Sequence, residues 1–139
     1  MVIDPSTEQG SKVTRWLTDD IVGWLVTVTP DGTPVPTPVW FWWDGETLLM
    51  YSQRDKPKLR HIAANPRVAL ALPLDEVGDL RAVITGDATV DDSAPAAFEV
   101  PEYIAKYHGE IERMGSNPEE FSREYSVPIR IVPTRVRAW

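Results

Sequence analysis

The chain has 139 residues, 14 Lys plus Arg against 21 Asp plus Glu for a net charge of −7, and no cysteine. That length suits one domain over 1–139 with a real core, much of it supplied by six Trp, four Tyr and three Phe. The acidic balance excludes a general nucleic-acid binder, which needs a broad basic face to displace phosphate counterions, and the missing cysteines exclude disulfides, thiolate metal sites and cysteine nucleophiles. No stretch is apolar enough to span a bilayer, and MVIDPSTEQGSK lacks the basic-then-apolar order of a signal peptide, so the expectation is a soluble, cytoplasmic protein.

In chain order, residues 1–10 are polar and expected to be loose. Over 11–19, Val13, Trp16 and Leu17 fall at i, i+3 and i+4 and predict a short helix. Three strands follow at 23–29, 33–43 and 46–52, joined by the turns PDG and DG, in which Gly32 and Gly45 can take positive φ. Pro34, Pro36 and Pro38 occupy alternate positions of the second strand and strip the donors from one edge, which therefore cannot carry a normal ladder. Trp40, Phe41, Trp42 and Trp43 are bulky on both faces. That suits a strand with a barrel core on one side and a cover on the other, for which a partner subunit is the simplest candidate.

Beyond Ser52 the pattern becomes helical: Asp55 is placed as N-cap, Pro57 in the first turn, Leu59, Ile62 and Ala63 on an apolar stripe, and Asn65-Pro66 at the end. Residues 68–74 read as a buried strand and 80–92 as a longer one with a bend or bulge at Gly86. Residues 94–125 are acidic and helix-prone, interrupted at Pro101, Gly115 and Pro118. The chain closes on a strand over 129–139, and there are no repeats.

The segment YSQRDKPKLRHIAANPRV, residues 51–68, holds five of the 14 basic residues and one acid, so it carries +4 in an acidic chain. A strand ending at Ser52 that feeds a helix near Lys56 brings free backbone N–H groups, the positive helix end and Lys58 together, as an anion site requires. Ser52 and Gln53 add side-chain donors. A solvated basic helix face balancing acidic neighbours is the competing reading of the same charges.

The order G-x-P-x-x-x-P-V-W-F (32–41), a strand ending in Tyr51-Ser52, and K-L-R-H-I-A-A-N-P-R-V (58–68) resembles the pyridoxamine 5'-phosphate oxidase-like, FMN-binding split β-barrels. Among them the short chain looks most like the actinobacterial flavin/deazaflavin oxidoreductases, whose B group uses coenzyme F420 in many members. The resemblance implies a mainly β fold with short helices, a homodimeric split barrel, and two cofactor sites at the subunit interface. It implies cofactor phosphate at Tyr51, Ser52 and Lys58, with Gln53, Arg54 and Lys56 beside them, and a cofactor ring along Thr37, Pro38, Val39 and Trp40. Thr37-Pro38 and Pro57 stand where classical pyridoxamine phosphate oxidases carry arginines, and the terminal segment lacks their Arg-x-His pattern. These departures point away from FMN and from vitamin B6 as substrate.

The implied activity is hydride transfer from reduced F420 to a small conjugated or electron-poor organic substrate, with no catalytic acid identified. An FMN-dependent oxidase or reductase, a carrier without turnover and a haem-binding split barrel are the rivals. His61 and His108 show no zinc spacing, so no metal is expected. A serine-hydrolase reading fails for want of a G-x-S-x-G elbow.

Overall fold

The computed structural model describes residues 1–73 and 80–139. Helix α1 (Glu8–Asp19) precedes strands β1 (Gly23–Val28), β2 (Pro34–Val39), β3 (Trp42–Trp43) and β4 (Leu48–Ser52). Helix α2 (Pro57–Ala64) follows, then β5 (Arg67–Leu72), β6 (Ala82–Val90), a short 3-10 turn over Ala97–Glu99, α3 (Pro101–Arg113), α4 (Pro118–Glu124) and β7 (Val127–Ala138). The strands form one antiparallel sheet in the order β2-β1-β5-β6-β7-β4-β3.

This sheet cannot be flat. β2 and β3 are its opposite edges, yet only Trp40 and Phe41 separate them along the chain. Three Cα steps reach at most about 11 Å, whereas six flat strand spacings would need about 29 Å. The sheet therefore curls until its edges nearly meet, leaving the split that Trp40 and Phe41 bridge. The expected strand over 33–43 is accordingly two strands. The break falls at Phe41 because its backbone is bonded to side chains and not to a ladder: its N–H donates to Tyr107 Oη at 2.8 Å, and its carbonyl accepts from Lys106 Nζ at 2.9 Å.

Two apolar clusters flank the sheet. One draws Leu25, Phe41, Leu48, Met50, Leu70, Ile84 and Ile131 from five strands and the bridge between β2 and β3, so it fills the interior of the curl, with Val13, Leu17 and Ile62 of α1 and α2 packed against it. The other sits outside β4, where Leu49 and Tyr51 meet Tyr103, Tyr107, Ile111 and Phe121 of α3 and α4. Alternation along β4 assigns Leu48 and Met50 to the first cluster and Leu49 and Tyr51 to the second, and all five residues of the strand are buried.

Several expectations meet a physical reason. Gly32 and Gly45 take φ of 88° and 100° in the hairpin turns, as expected. Gly86 sits at a register shift between β6 and β7, where an added Cβ would lie 2.5 Å from Val132 O. Part of the cover over the Trp run comes from the same chain, because Trp40 and Trp42 pack against the α3/α4 cluster while staying half-exposed. Asp55 is not the cap of α2. It adopts φ 61°, and Lys56 holds the N-cap position with no side-chain capping bond. Residues 1–10 are tied down in part, with Ile3 in the barrel core and α1 starting at Glu8 under a Thr7 cap. The strand expected over 68–74 is seen to Leu72, and its last residue lies outside the described ones. No helix among the described residues is long and apolar enough to cross a membrane.

Candidate functional site

The edge strand β2 pairs with β1 on one side only. In an antiparallel pair alternate residues turn their N–H and C=O groups to the partner. Prolines 34, 36 and 38 have no N–H to give, so Val35, Thr37 and Val39 make the ladder, and the outer edge offers carbonyls without donors. The Thr37 side chain turns inward too, donating to Leu25 O at 3.4 Å.

At the end of β2 a pocket of about 200 Å³ is lined by Pro38, Val39, Trp40, Tyr51, Lys58, Tyr103, Met114, Phe121 and Tyr125. Its walls are a continuous run of rings. Trp40 stacks on Tyr107 with centroids 4.8 Å apart and on Phe121 at 5.5 Å; Phe121 stacks on Tyr125 at 4.5 Å; and Tyr103 meets the Tyr51 ring edge-on at 5.1 Å. Lys58 enters from the first turn of α2. It is half-buried, forms no ion pair among the described residues, and has its pKa lowered by burial and secondarily by Lys56. An unpaired, partly desolvated ammonium gains from an anion, and the uncapped start of α2 adds its dipole there.

Of the residues expected from the sequence, the pocket thus gathers Pro38, Val39, Trp40, Tyr51 and Lys58. Tyr51 keeps its hydroxyl for Pro95 O, 2.8 Å away, and burial pushes its pKa up to about 12. The others lie elsewhere. Ser52 alternates to the opposite face of β4, is 1% exposed and donates to the Gln53 carbonyl at 2.8 Å. Gln53 is bonded to Glu124 at 2.6 Å, Arg54 Nε donates to Ser126 Oγ at 3.3 Å, and Lys56 is exposed. Arg54 borders a second, more open depression with Arg123, Glu119 and Glu124.

Tyr103, Met114, Phe121 and Tyr125 were not among the expected residues. One signal was available: Tyr103, Tyr107 and Ile111 recur every four residues and form the buried stripe of α3. Elsewhere, His61 Nδ1 lies 2.8 Å from Thr27 Oγ1, joining α2 to β1, and the described residues hold no cluster of three metal-ligating side chains.

A curled antiparallel sheet whose split is bridged by two residues, with a ring-lined pocket at its proline-rich edge, defines a split β-barrel of the flavin-binding type. The chain belongs to the pyridoxamine 5'-phosphate oxidase family, which it matches over residues 10–139. Among solved structures, a conserved hypothetical protein of Mycobacterium tuberculosis is 26% identical with a TM-score of 0.75, covering 96% of this chain and 84% of its own. An F420 reductase is 28% identical with a TM-score of 0.61, covering 88% and 94%. A haem storage protein of Vibrio cholerae shares the fold at 15% identity, with a TM-score of 0.65 and coverage of 99% and 95%. A search of curated protein sequences gives no match.

Proposed function

We propose that the protein is a cytoplasmic F420-dependent oxidoreductase that reduces a small conjugated or electron-poor organic substrate. The observation that carries this reading is the joining, in one pocket, of the donor-free edge of β2 and the Lys58 ammonium, which has no ion pair among the described residues. A flat heterocycle with ring N–H groups can use the carbonyls of that edge, and a phosphate can use Lys58 and the uncapped start of α2. The likeness to an F420 reductase favours this cofactor over FMN. F420, when bound in reduced form, supplies the hydride. The protein's own work is to hold the cofactor through Lys58 and the Thr37–Trp40 strand and to keep water from the reacting face with Trp40, Phe121 and Tyr125. Arg54 and Lys56, exposed beyond Lys58, are left to attract the anionic tail.

The protein acts in this reading as a homodimer. The register places Pro38, Trp24, Ala71 and Val83 in one row across the outer face of the sheet and Pro36, Val26 and Ala69 in the next. Trp24 is 43% exposed there, and a second copy is the occupant that would bury it. Sedimentation should give a dimer at micromolar concentration, and a stable monomer would overturn this part.

Titration of the purified protein with F420, FMN and haem in parallel tests the cofactor. Tight F420 binding with quenching of Trp fluorescence is expected. A yellow FMN complex of higher affinity, or a Soret band with no F420 binding, would overturn the proposal.

A further inference from the structure

Helix α1 has no basic side chain in its last turn, and the carbonyls there lack helical N–H groups to accept from. Lys106 of α3 supplies a donor from outside: its Nζ donates to Leu17 O at 3.0 Å and to Phe41 O at 2.9 Å. A cation at that helix end also meets the negative pole of the dipole. The same ammonium lies 4.0 Å from the centre of the Phe41 ring, within cation–π range. Tyr107, the next residue, accepts from the Phe41 N–H at 2.8 Å and donates to Ile21 O at 2.7 Å. Two consecutive residues of α3 thus grip both backbone groups and the ring of Phe41.

What holds Phe41 also holds Trp40. The two adjoin in the bridge between β2 and β3, where neither pairs with a strand of the sheet, so no ladder fixes them. They face opposite ways, Phe41 into the aliphatic interior and Trp40 onto the outer aromatic cluster. The Trp40 ring lines the pocket at the end of β2, whereas Phe41, Lys106 and Tyr107 stand outside its lining. Tyr107 stacks directly on Trp40 at 4.8 Å, so replacing it would disturb the wall at first hand. Lys106 acts on the wall through Phe41 and through the Tyr107 ring, whose centre is 5.2 Å from its Nζ.

We propose that Lys106 is a positioning residue for the pocket, its ammonium locking the bridge so that the Trp40 ring stands as a fixed wall for a flat ligand. The effect on F420 rests on the reductase reading; the hold on Trp40 does not.

The chain has no cysteine, so Lys106→Cys creates a single alkylation site. Alkylation with 2-bromoethylamine rebuilds a side chain of lysine's length and charge, and 1-bromopropane rebuilds the length alone. Near-ultraviolet circular dichroism, taken as the difference between each protein and its Trp40→Phe counterpart, reports the Trp40 ring without any ligand. That signal should collapse in the propyl form and return in the aminoethyl form. F420 should bind the propyl form about fivefold more weakly than the aminoethyl form, the scale on which residues that do not touch a ligand modulate its binding. Lys106→Met and Lys106→Arg repeat the comparison without alkylation, the first expected to match the propyl form and the second the aminoethyl form. A Trp40 signal indifferent to the charge, or equal F420 affinities with and without it, would overturn the positioning role. If F420 fails to bind even the native protein, the reductase reading falls and the Trp40 signal alone decides for or against the clamp.

Discussion

Inside the curl the sheet encloses Leu, Ile, Val, Ala and Met side chains with one Phe, while outside β4 the helices α3 and α4 lay down two tyrosines and a phenylalanine beside Tyr51 and the Trp40 ring. The aliphatic interior is sealed, with Leu25, Phe41, Leu70 and Ile84 at 0% exposure. The aromatic layer keeps a cavity and a lysine with no ion pair among the described residues. Branched aliphatic side chains interdigitate without directional demands and leave little void. Rings stack only in certain geometries, and their hydroxyls need partners, so a ring-built layer leaves gaps and specific polar handles. Stability should reside mainly in the first region and recognition in the second.

The largest expected effect comes from the interior. Leu70→Ala should cost about 2–5 kcal/mol in urea unfolding, while the folded fraction retains its ligand affinities. A loss of binding in the folded fraction would erase the distinction between the regions.

Tyr107→Phe probes the seam between them. It strands the Phe41 N–H and the Ile21 carbonyl, which its hydroxyl contacts at 2.8 and 2.7 Å, and should cost about 1–3 kcal/mol. Unchanged stability would mean that the break between β2 and β3 has another cause.

Lys58→Ala belongs to the aromatic side. Removing a charge-assisted contact worth roughly 1.5–3 kcal/mol should weaken F420 tenfold or more at constant melting temperature. Arg54→Ala and Lys56→Ala should weaken it less, by about 0.2–1 kcal/mol each, and salt should remove most of that difference. Equal, fully screened losses at all three positions would leave a diffuse attraction in place of a defined site.

A smaller effect concerns Lys106, whose ammonium donates to Leu17 O at 3.0 Å and Phe41 O at 2.9 Å, and whose pKa burial lowers from 10.5 to about 8. With the folded pKa below the unfolded one, the unfolded chain holds more protons between those values, and this residue's contribution makes stability rise with pH across that window. The raised pKa of Tyr51 acts oppositely above its ordinary value of 10, where stability falls as pH climbs towards about 12. Lys106→Met should flatten the rise between pH 8 and 10 and leave the alkaline loss intact, as melting curves at stepped pH would show.

The sequence made local features legible. Hairpin turns at Gly32 and Gly45, the bulge at Gly86, and the breaks at Pro101, Gly115 and Pro118 each follow from a residue whose backbone permits little else. The division of 33–43 into two strands was hidden because it depends on Tyr107, 66 residues away from Phe41. Half of the pocket was legible through the order of motifs around Pro38 and Lys58. The other half comes from α3 and α4, whose tyrosines read as ordinary helix core until packing brings them against Trp40. Asp55 misled because Asp favours both caps and left-handed turns, and here the turn prevails.

The bridge at Trp40 and Phe41 also bears on self-association. An open sheet exposes two lateral edges, each able to template pairing with another chain. Here one edge strand is two residues long and the other has its outward N–H groups deleted by three prolines. Neither can propagate a continuous intermolecular ladder. The protein can therefore leave the β2 edge open to small molecules without inviting fibril growth, and replacing Pro36 and Pro38 with valine should raise its tendency to aggregate at concentrations where the native chain stays dispersed.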